Sequence, residues 1–256
     1  KNINKSPTEN YILMQDLDFR NNQYDSVIST KCTGIIDGNN HTIRNIENNR
    51  DSIVLGVQNE VRNIYFENIS FLNAGSWAGI ISTVNKLENV HANNVKITVV
   101  NGSQVNSTQG GLACHTIDTV KNCSINNVTI INNTYSTRTR IGGLISVADG
   151  EISNCYAINV NIQTRNSTYE GVGGLIGAGE IQTTINNCYA TGKIEIDGSV
   201  VGGIIGYIAS SGKIIANSYS YVNITGNVTA IGGTAGSVAS GCKLENNIAL
   251  GNLYSS

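Results

Sequence analysis

Short apolar–polar–apolar triplets recur along the chain: Val95-Lys96-Ile97, Val128-Thr129-Ile130, Val160-Asn161-Ile162, Ile194-Glu195-Ile196 and Val222-Asn223-Ile224. Alternation with a period of two marks a strand with one buried face. Valine and isoleucine turn to one side, and Lys96, Thr129, Asn161, Glu195 and Asn223 to the other. Between the triplets stand glycine pairs, Gly110-Gly111, Gly142-Gly143, Gly173-Gly174, Gly202-Gly203 and Gly232-Gly233, about 30 residues apart, with a weaker relative at Ala78-Gly79. Apolar pairs follow them (Leu144-Ile145, Leu175-Ile176, Ile204-Ile205). An Asn-led tripeptide comes next: Asn122-Cys123-Ser124, Asn154-Cys155-Tyr156, Asn187-Cys188-Tyr189 and Asn217-Ser218-Tyr219. A unit this short cannot bury its own apolar face, so the repeat predicts a solenoid in which coil stacks on coil at ~4.8 Å.

Each recurring residue has an expected task. The corner glycines Gly111, Gly143, Gly174, Gly203 and Gly233 permit close packing or a positive φ. Stacked asparagines ladder their side-chain amides along the axis. A helical reading fails, because no segment keeps a 3.6 period and glycine interrupts every candidate. The predicted fold is all-β, a right-handed parallel β-helix of roughly eight coils. Residues 1–256 form a single domain, with irregular N-terminal coils over 11–75 and regular repeats over 76–256. Tyr11 to Phe19 reads as an entry strand, and Gly34-Ile35-Ile36-Asp37-Gly38-Asn39-Asn40-His41-Thr42-Ile43 as strand, turn and strand.

Composition agrees with strands: charged residues are 13% of the chain, and proline, methionine and tryptophan occur once each. A formal net charge of −2 gives no electrostatic reason to expect nucleic acid as a partner. No apolar run approaches the ~20 residues of a membrane span.

Gly143-Leu144-Ile145-Ser146 through Asn154-Cys155-Tyr156-Ala157 resembles the GLUG motif of bacterial and protist surface proteins. Gly174-Leu175-Ile176-Gly177 through Asn187-Cys188-Tyr189-Ala190-Thr191-Gly192 resembles it too. The resemblance is best from Ile141 to Ser240, while Gly233-Thr234-Ala235-Gly236 opens a repeat without the Asn-Cys-Tyr triplet. It implies a β-helix on a cell surface or in a secreted, adhesin-like protein, and no reaction.

The residues themselves offer little chemistry. A sugar-cleaving β-helix needs clustered carboxylates, and the chain has no Asp-Asp pair. Asp118, Asp149, Glu151 and Glu180 fall at similar offsets from their glycine pairs and read as solvated turn carboxylates. His41, His91 and His115 lack metal-ligand spacing. The expectation is therefore no catalysis, no metal and no cofactor.

Ten Asn-x-Ser/Thr acceptors, Asn40, Asn68, Asn101, Asn106, Asn122, Asn127, Asn132, Asn166, Asn223 and Asn227, are candidates for N-glycosylation. With six cysteines they tilt the expected location to the outside of the cell. Cys123, Cys155 and Cys188 should stack in one column, either bridged between coils or reduced and buried. Cys114 is a candidate partner for the member left over. Cys32 and Cys242 lie near opposite ends, too far apart to pair within one copy. Open solenoid ends expose strand edges, so the expected partner is the protein itself, stacked head to tail with Tyr11–Phe19 completing a neighbour's last coil. Host or cell-surface glycans or proteins are further candidate partners; the alternative reading is a ligand-binding passenger fragment of a larger cell-surface adhesin, and a polysaccharide lyase or hydrolase is the least favoured.

Overall fold

The computed structural model describes residues 5–20, 31–48, 53–100, 106–134, 136–164, 171–198 and 200–255. These form parallel strands without an α-helix. Strands pair in parallel with the matching strands one coil on, so residues 23 to 33 positions apart in sequence become neighbours. One inward column runs Leu17, Ile43, Phe66, Ala92, Ile125, Ala157, Ala190, Ser220, Ala249, one residue per coil. The molecule is the parallel β-solenoid that the repeat predicts.

The apolar triplets line the core as expected. Phe71, Ile97, Ile130, Ile162, Ile194 and Ile224 form a single column at 0% exposure. One triplet is misaligned in the sequence reading. Ile162 pairs with Ile194 and Asn161 with Lys193, so Gly192 stands where the other coils carry valine, and Glu195 lies two residues beyond its expected place. The register shifts between Ala157 and Val160, where that coil turns with one residue fewer. A shift of two keeps the parity, so Ile194 and Ile196 stay buried.

The glycine motif has a steric rationale. A second small sheet, made of Trp77–Ala78, Ser107–Gly110, Thr139–Gly142, Gly171–Gly173, Val200–Gly202 and Ala230–Gly232, folds back against strands such as Ile145–Ala148 and Ile176–Gly179. At the reversal, a Cβ on Gly142 would strike the Ile145 carbonyl, and one on Gly143 would strike the Gly174 carbonyl of the next coil. Two residues after Leu175, a Cβ on Gly177 would sit 2.6 Å from the Ser146 oxygen and 2.7 Å from the Ile141 nitrogen. Gly206 and Gly236 are confined in the same way by the backbone of Gly171–Val172 and Val201. Where serine replaces this glycine, Ser146 Oγ donates to the Arg140 carbonyl at 2.6 Å. Of the two expectations for the corner glycines, close packing holds, and none of Gly111, Gly143, Gly174, Gly203 or Gly233 has a positive φ.

Positive φ belongs to asparagine. All fourteen non-glycine residues with positive φ among the described residues are asparagines, at φ between 50° and 62°. Asparagine tolerates this region because its short amide bonds locally. Here the amides bond along the axis in two ladders. One runs from Asp18 through Asn45, Asn68, Asn94 and Asn127 to Asn159, each Nδ2 donating to the oxygen one coil before. The other joins Asp37, Asn63 and Asn89, resumes through Asn122, Asn154 and Asn187, and continues as Asn186, Asn217 and Asn246.

Tyr11–Ile12 and Leu17–Asp18 pair with the chain's own Cys32–Asn48, Tyr11 on Ile36 and Leu17 on Ile43. They occupy the first edge in cis, because Asp16 and Asp18 are fixed there by Thr42, Asn45 and Arg44.

Candidate functional site

The corner carboxylates line one edge, each with a cation or an amide. Asp118 faces Lys86 at 3.7 Å, Glu151 faces Lys121 at 3.7 Å, and Glu180 accepts from Arg140 at 3.0 Å. Asp149 accepts the Gln182 N–H at 2.7 Å. Such exposed pairs contribute little, on the order of 0–1 kcal/mol each. No group of three or more His, Cys, Asp or Glu among the described residues is placed to hold a metal ion.

The histidines are dispersed. His41 meets Asp16 at 3.2 Å at the N-terminal edge. His91 bonds Ser124 and Asn89, stacks on Tyr65 at 5.1 Å, and has its pKa lowered by burial. Burial also lowers the pKa of His115, against the opposing pull of Glu180 and Asp149.

Two concavities were not visible in the sequence, because each is assembled from several coils. One of about 150 Å³ lies among Trp77, Asn106, Thr108, Arg138 and Arg140. A shallower groove of about 710 Å³ runs past Asn133, Gln163, Glu195, Asp197 and Thr225. Register is the only signal that would have found it: Gln163 pairs with Glu195, and Glu195 with Thr225.

Cys123, Cys155 and Cys188 do stack, one behind each ladder asparagine, and all six cysteines are free. The Cys123 N–H donates to Cys155 Sγ at 3.4 Å. Burial raises the Cys155 thiol well above its ordinary pKa. The neighbouring Cys155 and burial do the same to Cys188. Cys114, wholly buried, is pushed up to about 12. Cys32 is 1% exposed beneath the entry strands, whereas Cys242 is partly open. The column from Cys32 to Val238 has seven steps, so these two cysteines are separated by about 34 Å.

The sequons divide by environment. Asn40, Asn106, Asn122 and Asn227 are exposed. Asn68 and Asn127 are exposed as well, but their Nδ2 atoms donate within a ladder. Asn223 is half-buried and accepts from the Asn252 N–H. Asn132 corrects the sequence reading: it is 0% exposed, with its amide bonded to Ser107, Gln109 and Thr134, leaving no path for a glycan. Asn101 and Asn166 lie outside the described residues.

Tyrosines in register form part of an outer column: Tyr65, His91, Ser124, Tyr156, Tyr189, Tyr219. Tyr156 and Tyr189 stack at 4.9 Å and 7°. The facing sides of those two rings cover each other, so they are withheld from a sugar.

Such a fold defines the chain as a parallel β-solenoid with a repeated glycine corner. The family model described as the GLUG motif matches residues 168–195. Among solved structures, one named IgA1 protease aligns over 98% of this chain with a TM-score of 0.70 and 21% identity. This chain spans 20% of that protein's length. A second, a candidate immunoglobulin A1 protease from Bacteroides ovatus, aligns over 97% of this chain and 72% of its own, with a TM-score of 0.58 and 20% identity. At that identity the likeness is one of fold. No curated protein matches the chain.

Proposed function

We propose that this chain is an extracellular structural solenoid, a rigid surface on which a cell presents or spaces other groups. The observation that supports it most is the unbroken stacking itself. Core columns and corner glycines recur from coil to coil, asparagine amides tie left-handed corners along the axis, and the carboxylates that a sugar-cleaving site would draw on face lysine, arginine or a backbone amide. The exposed sequons Asn40, Asn106, Asn122 and Asn227 are the positions for glycan in this reading.

Incubation of the chain with polysaccharides and with immunoglobulin A1 tests the proposal. Both substrates are expected intact, and release of sugars or of a peptide fragment would replace the structural role with an enzymatic one.

One finer reading has an observation in its favour. Adhesion to glycans is favoured by the groove of amides, carboxylates and hydroxyls at Gln163, Glu195, Asp197 and Thr225. A glycan array in which Glu195→Ala removes binding would support it.

A further inference from the structure

The small sheet carries the chain's single tryptophan, and 47% of Trp77 is exposed. In register with it stand Thr108 one coil on and Arg140 two coils on, so the three share one face about 10 Å long, two steps of ~4.8 Å. Asn106 and Arg138, two residues before Thr108 and Arg140, fall on that face as well, and the five together line the concavity of about 150 Å³. Thr108, 4% exposed, forms its floor. In later coils the Trp77 column continues as Gly171, Val200 and Ala230, so stacking does not require an aromatic residue there.

The chemistry of the lining selects an occupant. A tryptophan face is an apolar platform. The lining adds two guanidinium groups and no carboxylate. Arg140 gives one N–H to Glu180 at 3.0 Å, out of the five that a guanidinium carries. A volume of about 150 Å³ is roughly half the ~300 Å³ of the smallest drug-sized pockets, room for one ring and not for a stretch of polymer. An extended peptide would find no strand to join, because Ser107–Gly110 is already paired with Trp77–Ala78 on one side and Thr139–Gly142 on the other.

We infer that this concavity binds a single acidic sugar residue, its ring on Trp77, its carboxylate on Arg138 and Arg140, and its hydroxyls on Asn106. Planar guanidinium groups match a carboxylate with two parallel N–H donors. The site goes beyond the structural role and stands apart from the groove at Gln163, where Glu195 and Asp197 would repel such a ligand.

Trp77 is the chain's only tryptophan, so its fluorescence reports this site alone. The full chain is made in a host that adds no N-glycan, which leaves the Asn106 amide unmodified. It is titrated with glucuronate, N-acetylneuraminate, glucose, sodium phosphate and oligoglutamate. A saturable change with an acidic sugar is expected, the tighter of the two naming the source, and glucose should bind at least about 10-fold more weakly. Arg138→Gln should weaken binding by about 10-fold or more at unchanged Tm. Trp77→Ala, followed through the NMR signals of the sugar, should abolish binding, and Trp77→Phe should restore it.

No saturable change with either acidic sugar would overturn the site. Glucose binding as tightly as the acids, or Arg138→Gln without effect, would overturn the role of the carboxylate. Phosphate or oligoglutamate binding as tightly would overturn the sugar. None of these outcomes bears on the structural role, which the cleavage assays test separately.

Discussion

Asparagine holds the left-handed corners of this solenoid and ties them together, so its removal tests both tasks at once. Asn154 donates to Asn122 and accepts from Asn187. Asn154→Ala loses two hydrogen bonds, each worth about 1 kcal/mol, and strains the backbone by about another 1 kcal/mol. Asn154→Gly keeps the conformation, so its urea midpoint should fall less than that of the alanine variant. Equal midpoints would show that the left-handed turn carries no cost.

The thiols allow a second test. With Cys114, Cys155 and Cys188 buried and their pKa values raised, iodoacetamide at pH 8 should label Cys242 and leave those three unmodified until the chain unfolds. At the N-terminal edge, hydrogen bonds from Thr42 N–H and His41 lower the Asp16 pKa, and bonds from Asn45 and the Arg20 N–H lower that of Asp18. Depressed carboxylates stabilise the fold above their unfolded value of about 3.9 and cease to do so as pH falls through the folded values. Protection of Tyr11–Ile12 and Leu17–Asp18 should therefore be lost first as pH falls below about 4, ahead of the central coils. The asparagine ladder was legible from the aligned tripeptides, but its left-handed backbone was not. Composition does not reveal φ, and glycine was the natural candidate for that conformation.

At the scale of the element, the G-G-L-I-G run is one packing device in which each glycine meets a different piece of backbone. Gly177→Ala places a methyl group 2.7 Å from the Ile141 nitrogen and 2.6 Å from the Ser146 oxygen. It should cost about 1–3 kcal/mol through overpacking, read as a lowered thermal midpoint. Gly212, at φ 72° with nothing within 4 Å of an added Cβ, supplies the contrast. Gly212→Ala should cost only the backbone strain, about 1 kcal/mol. Spacing alone located these glycines, but the small sheet folded against the Ile145–Ala148 type of strand could not be read from it. The contact joins backbone to backbone and leaves only missing side chains as its trace. The misplaced Ile194-Glu195-Ile196 has a related cause, since period two is blind to a slip of two residues.

For the whole molecule, the repeat made the fold legible, because the same residue types recur wherever coils must match. The concave surfaces were not legible, since Trp77 meets Arg140, and Gln163 meets Glu195 and Thr225, only after stacking has set the register. In-register stacking is the claim on which the core and the ladders both depend. Lys96, Thr129, Asn161, Lys193 and Asn223 form one outer column with four steps from first to last. The most direct test is the electron–electron distance between spin labels on Lys96→Cys and Asn223→Cys, with Cys242→Ser removing the partly open native thiol. A narrow distribution centred at about 19 Å, four steps of ~4.8 Å, is the predicted result. A broad distribution, or one centred beyond about 30 Å, more than six such steps, would contradict it.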